Sequence, residues 1–373
     1  MRWLFWISAG LIAYSYLGYA AWLWIRSRWR ARAVRRSAIV PSVSIVMVVR
    51  NEAARLEKKL QNLLALNYPP ELREIVVVSD GSTDSTAEIL QSYVKQHGVK
   101  ACMDIEGRGK AAGLNSALAT AQGEIVFFTD VRQELEPDSL RLLVEGFADP
   151  EVGCVSGELM LGDPNSGESG EGIGVYWQIE KQVREMESAS GSVIGATGAI
   201  YAVRRELVPV IPPGTILDDV FIPMQVARRN KRVIFDSRAR AWDVADQGTG
   251  REFARKVRTL GGNYQLLQLM PWLLSGSNPV RFEFISHKLV RLLVPFALIG
   301  ALVSSVFLPG TLYRVLLLMQ LMFYALSLLS PARLKLGALA RIADAAFTVV
   351  VLNTAAAVAF LNFISGRKAV WGR

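Results

Sequence analysis

Val43-Ser44-Ile45-Val46-Met47-Val48-Val49, running directly into Arg50-Asn51-Glu52, is the stretch on which the fold of this chain turns. It is apolar at every position but Ser44 and rich in β-branched residues, with no polar alternation, the pattern of a strand buried on both faces. Two further runs repeat it. Ile75–Val78 breaks into Ser79-Asp80-Gly81-Ser82-Thr83-Asp84, and Ile125–Phe128 breaks into Thr129-Asp130-Val131-Arg132. Strands of this kind form parallel sheets covered by helices, whose ligands sit beyond the carboxyl ends of the strands. The three polar strand ends therefore place several carboxylates around one crevice.

Between these runs the sequence predicts helices over Glu57–Ala65, Ser85–Gln96 and Lys110–Ala121, the second with N-cap candidates at Ser82-Thr83-Asp84-Ser85. This β-α-β-α-β alternation predicts a doubly wound α/β sheet. A polar, glycine-rich loop follows over Gly162–Gly174, then an amphipathic helix near Val175–Ser188.

The ends of the chain differ in kind. Trp3–Ile25 has no charged residue, and a helix of that length reaches roughly 34 Å, enough for a hydrocarbon core of about 30 Å. Leu292–Tyr313, Val315–Ala332 and Ala345–Gly366 are also uncharged, and Leu308-Pro309-Gly310-Thr311 is a turn suited to joining two antiparallel membrane helices. Arg26, Arg28, Arg30, Arg32, Arg35 and Arg36 follow the first apolar segment, which places the next domain on the cytoplasmic side of an inner or plasma membrane. Anionic lipid accounts for these arginines, and for much of the net charge of +9, without a nucleic-acid partner. Arg333, Lys335 and Arg341 put a second basic loop on that side, while Arg367, Lys368 and Arg373 sit at odds with a C-terminus outside.

Four units result: an anchor and basic segment (1–36), a globular domain (37–262), an interfacial segment around Met270-Pro271-Trp272-Leu273-Leu274 (263–287), and C-terminal membrane helices (288–373). For the third, a domain helix packed on the core is the competing reading. The chain has two cysteines and two histidines, too few for a disulfide framework or a histidine-rich metal centre, so any metal is held by oxygen.

Five short motifs carry a resemblance. Val-Val-Arg-Asn-Glu (48–52), Val-Ser-Asp-Gly-Ser-Thr-Asp (78–84), Gly-Lys-Ala-Ala-Gly-Leu-Asn (109–115), Phe-Thr-Asp (128–130), and Gly195–Arg205 with Leu217-Asp218-Asp219 occur in the order seen in family 2 glycosyltransferases. Over residues 43–262 the chain resembles that family, and its flanking apolar segments resemble the branch with cellulose and hyaluronan synthases. The resemblance implies a GT-A-type doubly wound nucleotide-sugar-binding domain, with one N-terminal and about three C-terminal transmembrane helices.

It also implies roles. Arg50, Asn51, Glu52 and Asp80 fall on the base-and-ribose side of a nucleotide-diphosphate sugar, with Lys110, Asp130 and Arg132 on the diphosphate side. Asp219, with Asp218 before it, falls where the family has its catalytic base. Turn-forming and helix-capping roles compete for Asp80 and for the Asp218–Asp219 pair. Gly198, Arg255 and Arg258 fall on the diphosphate or acceptor side, and Lys256 belongs to the same basic stretch.

The expected reaction is an inverting transfer to a lipid-linked or growing saccharide acceptor, by an enzyme sharing the membrane lipid with that acceptor. A processive synthase and a nucleotide-sugar binder without turnover are the alternatives. Two departures matter. The family's Asp-x-Asp motif, which holds Mg²⁺ or Mn²⁺, reads Asp130-Val131-Arg132 here. A guanidinium cannot ligate a cation but pairs well with phosphate. Either Arg132 replaces part of the metal's charge, or Asp130 holds a metal through fewer ligands, with Glu134 or Asp163 compensating. The processive synthases' Gln-x-x-Arg-Trp motif reads Arg255-Lys256-Val257-Arg258-Thr259, without its Gln or Trp.

Overall fold

The computed structural model describes residues 1–162, 175–243, 249–330 and 338–367. Among them lies one eight-stranded sheet: β1 (Val43–Val49), β2 (Arg73–Asp80), β3 (Lys100–Asp104), β4 (Ile125–Phe128), β5 (Glu134–Leu135), β6 (Val152–Leu161), β7 (Tyr201–Arg204) and β8 (Arg232–Asp243). Their order is β3-β2-β1-β4-β7-β6-β8-β5. The first four run parallel, with Val49 opposite Ser79 and Val46 opposite Phe128. β7 then enters antiparallel between β4 and β6. The three polar strand ends read from sequence thus emerge on one side.

The uninterrupted apolar runs are explained by what covers them. Alternate residues point to opposite faces of a strand. Ile45, Met47, Ile75, Val77, Ile125 and Phe127 pack with Leu56, Leu60 and Leu63 of α2 (Ala53–Leu64), Leu90 of α3 (Thr86–His97) and Leu140 of α5 (Ser139–Glu145). Val46, Val48, Val76, Val78, Val126 and Phe128 face Ala111, Leu114 and Ala117 of α4 (Lys110–Thr120), and Val220, Phe221 and Met224 of α7 (Asp218–Arg228). Each fully buried Val, Leu or Ile contributes about 1.5–3 kcal/mol, so both faces hold the sheet.

Sequence alone counts three parallel strands; the sheet has a fourth. β3, Lys-Ala-Cys-Met-Asp, carries no apolar run because it is a half-buried edge strand. The membrane segments also need adjustment. Among the described residues, three helices are long and apolar enough to cross a membrane: α1 (Arg2–Trp29), α9 (Arg281–Phe307) and the Ile342–Ile364 part of α11 (Ala338–Ile364). α10 (Thr311–Ser327) has 17 residues and reaches about 26 Å, the short end for a span. The expected turn is present between α9 and α10, with Gly310 at φ +125°.

α6 (Val175–Ser190) lies against α1, and α8 (Thr249–Leu269) lies along α11, so the domain is joined to both apolar ends. Met270 and Leu273, expected at an interface, are fully buried with Leu266 and Phe284. Asp163 and nearly all of the Gly162–Gly174 loop fall outside the described residues, as do Arg333, Lys335, Lys368 and Arg373.

Candidate active site

The polar ends of β1, β2 and β4 converge with the start of α7, and a lysine ties them together. Lys110 opens α4, and its Nζ lies 3.1 Å from Asp130 Oδ1 and 3.3 Å from Asp218 Oδ2. Asp218 is buried, whereas Asp130 and Lys110 are partly open to the crevice. Burial disfavours the Lys110 ammonium, but Asp130, Asp218 and Asp219 outweigh it and hold its pKa above the ordinary lysine value.

Asp219 is half-buried beside this cluster. Burial first, then the Asp218 charge, push its carboxyl up to about 6, against the opposing fields of Lys110 and Lys288. Its backbone carbonyl accepts a hydrogen bond from the Ala196 N–H at 2.7 Å. A Cβ on Gly198 would stand 3.2 Å from Asp219 Oδ2, so the bare glycine leaves the carboxylate its space.

On the β2 side Asp80 is fully buried and accepts the Arg108 and Gly109 N–H groups at 2.7 and 2.9 Å. Gly81 makes this approach feasible. Its φ is +64°, and a Cβ there would stand 2.5 Å from the Gly107 nitrogen. Asp80 thereby orients the turn that delivers Lys110. Asn51, at φ +54°, accepts the Thr83 N–H at 2.8 Å, and its own N–H donates to Ser82 Oγ at 3.1 Å. The Glu52 N–H donates to Thr86 Oγ1 at 3.0 Å, and Arg50 covers Gly107. These residues bind the first two strand ends to each other and to the Lys110 turn.

Arg132 turns away from that cluster to pair with Asp243, the buried last residue of β8, which also accepts Gln133 Nε2 at 3.1 Å. Beneath the same turn, buried Lys59 of α2 donates to Thr129 Oγ1 at 3.0 Å and to the Gln133 carbonyl at 2.6 Å. Burial lowers Lys59 to about 7, against the pull of Asp130 and Glu134. Sequence reading missed Asp243, Lys59 and Arg184. Lys59 lies in a predicted helix with no local sign that it is buried, and Asp243 lies 111 positions from its partner. Arg184 of α6 donates to Thr197 Oγ1 at 2.7 Å and Ser156 Oγ at 2.9 Å, holding the Gly195–Gly198 segment against Asp219.

Arg255 is exposed and Arg258 half-buried on α8, and Lys256 pairs with Glu252. Among the described residues no hydrogen bond or ion pair joins these three cations to the carboxylate cluster. Glu134 is engaged by Lys58 at 2.7 Å. A divalent cation caged by protein carboxylates does not fit this donor set. Lys110 already stands between Asp130 and Asp218, and Arg132 replaces the next ligand. Among the described residues no three Asp, Glu, His or Cys side chains gather to hold a metal. Asp130 is the more open of the two aspartates that Lys110 bridges.

Comparison with known proteins agrees with this architecture. A solved mannosyltransferase of Pyrobaculum calidifontis, in complex with GDP-Man and Mn²⁺, matches 98% of this chain and 99% of its own at a TM-score of 0.75 and 23% identity. That likeness establishes the fold. Poly-beta-1,6-N-acetyl-D-glucosamine synthases of Staphylococcus epidermidis and Staphylococcus aureus are each 24% identical, over 233 and 230 residues. Those matches cover 61% and 60% of this chain, and 56% and 55% of the relatives, so the chain spans about half their length. The model of glycosyl transferase family 2 matches residues 44–211, and that of glycosyl transferase family group 2 matches residues 130–361. With both models matched and its sheet, strand-end carboxylates and paired aspartates in place, the chain belongs to glycosyl transferase family 2.

Proposed function

We propose that this chain is a membrane-bound inverting glycosyltransferase, moving a sugar from a nucleotide-diphosphate donor to a lipid-linked or growing saccharide acceptor in glycan synthesis. The observation that carries the reading is Asp219, a half-buried carboxyl pushed up to about 6 at the carboxyl edge of the sheet, beside a lysine that already bridges two aspartates. A general base works best when its pKa lies near the operating pH, and Asp219 approaches that range. In the reaction the acceptor hydroxyl oxygen bonds to the anomeric carbon and gives its proton to Asp219. The bond from the anomeric carbon to the phosphate oxygen breaks, and the nucleoside diphosphate leaves with that electron pair. Lys110 supplies positive charge where the departing diphosphate gathers negative charge. Asp80 and Asn51 hold the strand ends that shape the nucleotide side, and Arg255 and Arg258 on α8 are the cations we assign to the diphosphate or acceptor side. The arginines after α1 support a cytoplasmic position for this crevice.

Relatives named for N-acetylglucosamine polymers and a neighbour solved with GDP-Man argue for a nucleotide sugar and leave two sugars to compare. The synthase relatives also favour a second reading, processive polymerisation. The absent Gln and Trp of the synthase motif weigh against it. One assay separates the readings: full-length protein in lipid nanodiscs is offered a panel of nucleotide sugars, with and without EDTA. Donor turnover lost in Asp219→Asn supports the transferase, and long products identify the synthase. Donor binding without turnover on any acceptor overturns the enzyme reading.

A further inference from the structure

The first three turns of α9 carry an unusual density of charge for a helix that goes on to an uncharged run from Leu292. Nearly all of it is satisfied. Glu283 pairs with Arg26 of α1. His287 is fixed at both ring nitrogens, by Glu187 Oε1 at 2.8 Å and Glu180 Oε1 at 3.0 Å, both on α6. Tyr19 donates to Glu187 at 2.6 Å, and Arg291 donates to Glu180 at 3.0 Å. These contacts lock α9 against the catalytic domain through the helix that also carries Arg184.

Arg281 is exposed to solvent, which leaves Lys288 as the exception among the charges withdrawn from water. It is half-buried on a π-helical turn, Ile285–Leu289, and has no hydrogen-bond or ion-pair partner among the described residues. Two carboxylates act on it: Glu180, which is already held by His287 and Arg291, and Asp219. Its charge acts on Asp219, as that of Lys110 does, and it is borne by a helix long and apolar enough to cross a membrane. Lys110 is occupied by Asp130 and Asp218. A half-buried ammonium without a counter-ion is costly, and one beside a crevice at a bilayer edge is suited to an anion brought by a lipid.

We propose that Lys288 binds the phosphate or diphosphate group of a lipid-borne acceptor, whose chain lies along the apolar helices while its reacting hydroxyl reaches Asp219. This deepens the transferase reading and rests on it. Lysine suits the task as a compact point charge for phosphate.

The test uses full-length protein in phosphatidylcholine nanodiscs, with calorimetric titration of farnesyl diphosphate, inorganic diphosphate and farnesol. Wild type is expected to bind farnesyl diphosphate, and Lys288→Ala to bind it about tenfold or more weakly, as when one partner of a charged contact is removed. Lys288→Arg keeps the charge and is expected to keep most of the affinity, which separates lost charge from lost fold. Equal binding by Lys288→Ala overturns the proposal, as does farnesol binding as tightly as farnesyl diphosphate. Inorganic diphosphate binding as tightly as the farnesyl compound also overturns it, because the site would then serve a free anion. Asp219→Asn tells the two readings apart. It should bind farnesyl diphosphate like wild type while losing donor turnover, and turnover retained in that variant refutes the base, whatever Lys288 does.

Discussion

Asp219→Asn should make the protein more stable while making it inactive. In the folded chain the Asp219 carboxyl sits at about 6, against an ordinary 3.8, because burial and Asp218 oppose its ionisation. A carboxyl whose folded pKa is raised binds protons more tightly in the folded state than in the unfolded one. Its ionisation therefore destabilises the fold above that pKa, and the penalty shrinks as pH falls through 6 towards 3.8. The difference of about two units corresponds to roughly 3 kcal/mol at pH 7.5 and about half that at pH 5. Asparagine keeps the shape and removes the charge. Lys110 still has Asp130 and Asp218 as partners, and Lys288 keeps the field of Glu180. The assay is thermal unfolding of the full chain in nanodiscs, wild type against Asp219→Asn, at both pH values. The variant should melt higher at pH 7.5, with the gap narrowing at pH 5, and its donor turnover should fall by about a thousandfold or more. A variant that melts lower than wild type at pH 7.5 refutes the electrostatic account of this site, even if activity is lost.

The wild-type enzyme should show an acid limb in kcat/KM near pH 6, with activity falling about tenfold between pH 7 and pH 5 as Asp219 protonates. A flat profile over that range excludes Asp219 as the base. Lys110→Met should lose both turnover and stability, the latter by about 3–5 kcal/mol at neutral pH, because Asp130 and buried Asp218 are left without their cation. Arg132→Ala should destabilise the chain by stranding the Asp243 carboxylate, and adding Asp243→Asn should recover most of that loss, a non-additivity read from unfolding of the double variant. Mn²⁺ titrated into the protein alone should show no binding tighter than about 1 mM, and tighter binding should appear only with a nucleoside diphosphate, whose oxygens supply the missing ligands. Tight binding without nucleotide would mean that the donor set is richer than Asp130.

What the sequence made legible follows the range of the forces involved. β1, β2 and β4 announced themselves because both faces of each are buried, which demands an unbroken apolar run. β3 did not, because a half-buried edge strand satisfies its backbone with little apolar content. Lys110, Asp130, Asp218 and Asp219 were all named from motifs, and the fold joins the lysine to Asp130 and Asp218. The meaning of Lys110 was not legible, since an ammonium bridging residues 20 and 108 positions away leaves no local pattern. The same holds for Lys59, Arg184 and Lys288, whose neighbours come from distant elements. Val315–Ala332 is as free of charge as the longer stretches, and absence of charge does not show where a helix ends, which is why α10, with 17 residues, was counted with the longer spans.

The substitution at Arg132 shows how a charge change is absorbed. Replacing a carboxylate with a guanidinium in the Asp-x-Asp position shifts the local charge by two, which reads as a cation offered to the diphosphate. In the folded chain that cation is matched by Asp243, so the pair is neutral and lies to one side of the Asp130 cluster. Asp130, Asp218 and Asp219 then face Lys110, with Lys288 acting on Asp219, so three carboxylates meet two lysines and the crevice carries net negative charge before any donor arrives. A nucleoside diphosphate adds more. It can enter only if Lys110 is shared with it, or if cations come from elsewhere: from Arg255 and Arg258 on α8, from a metal that arrives with the nucleotide, or by Arg132 leaving Asp243. Each source predicts a different dependence of donor KM, on α8 charge, on added Mn²⁺ or on Asp243. The residue that distinguishes this chain from the family motif therefore acts first on the fold, by tying the β4 turn to the end of β8. Its reach towards the diphosphate depends on breaking a buried ion pair.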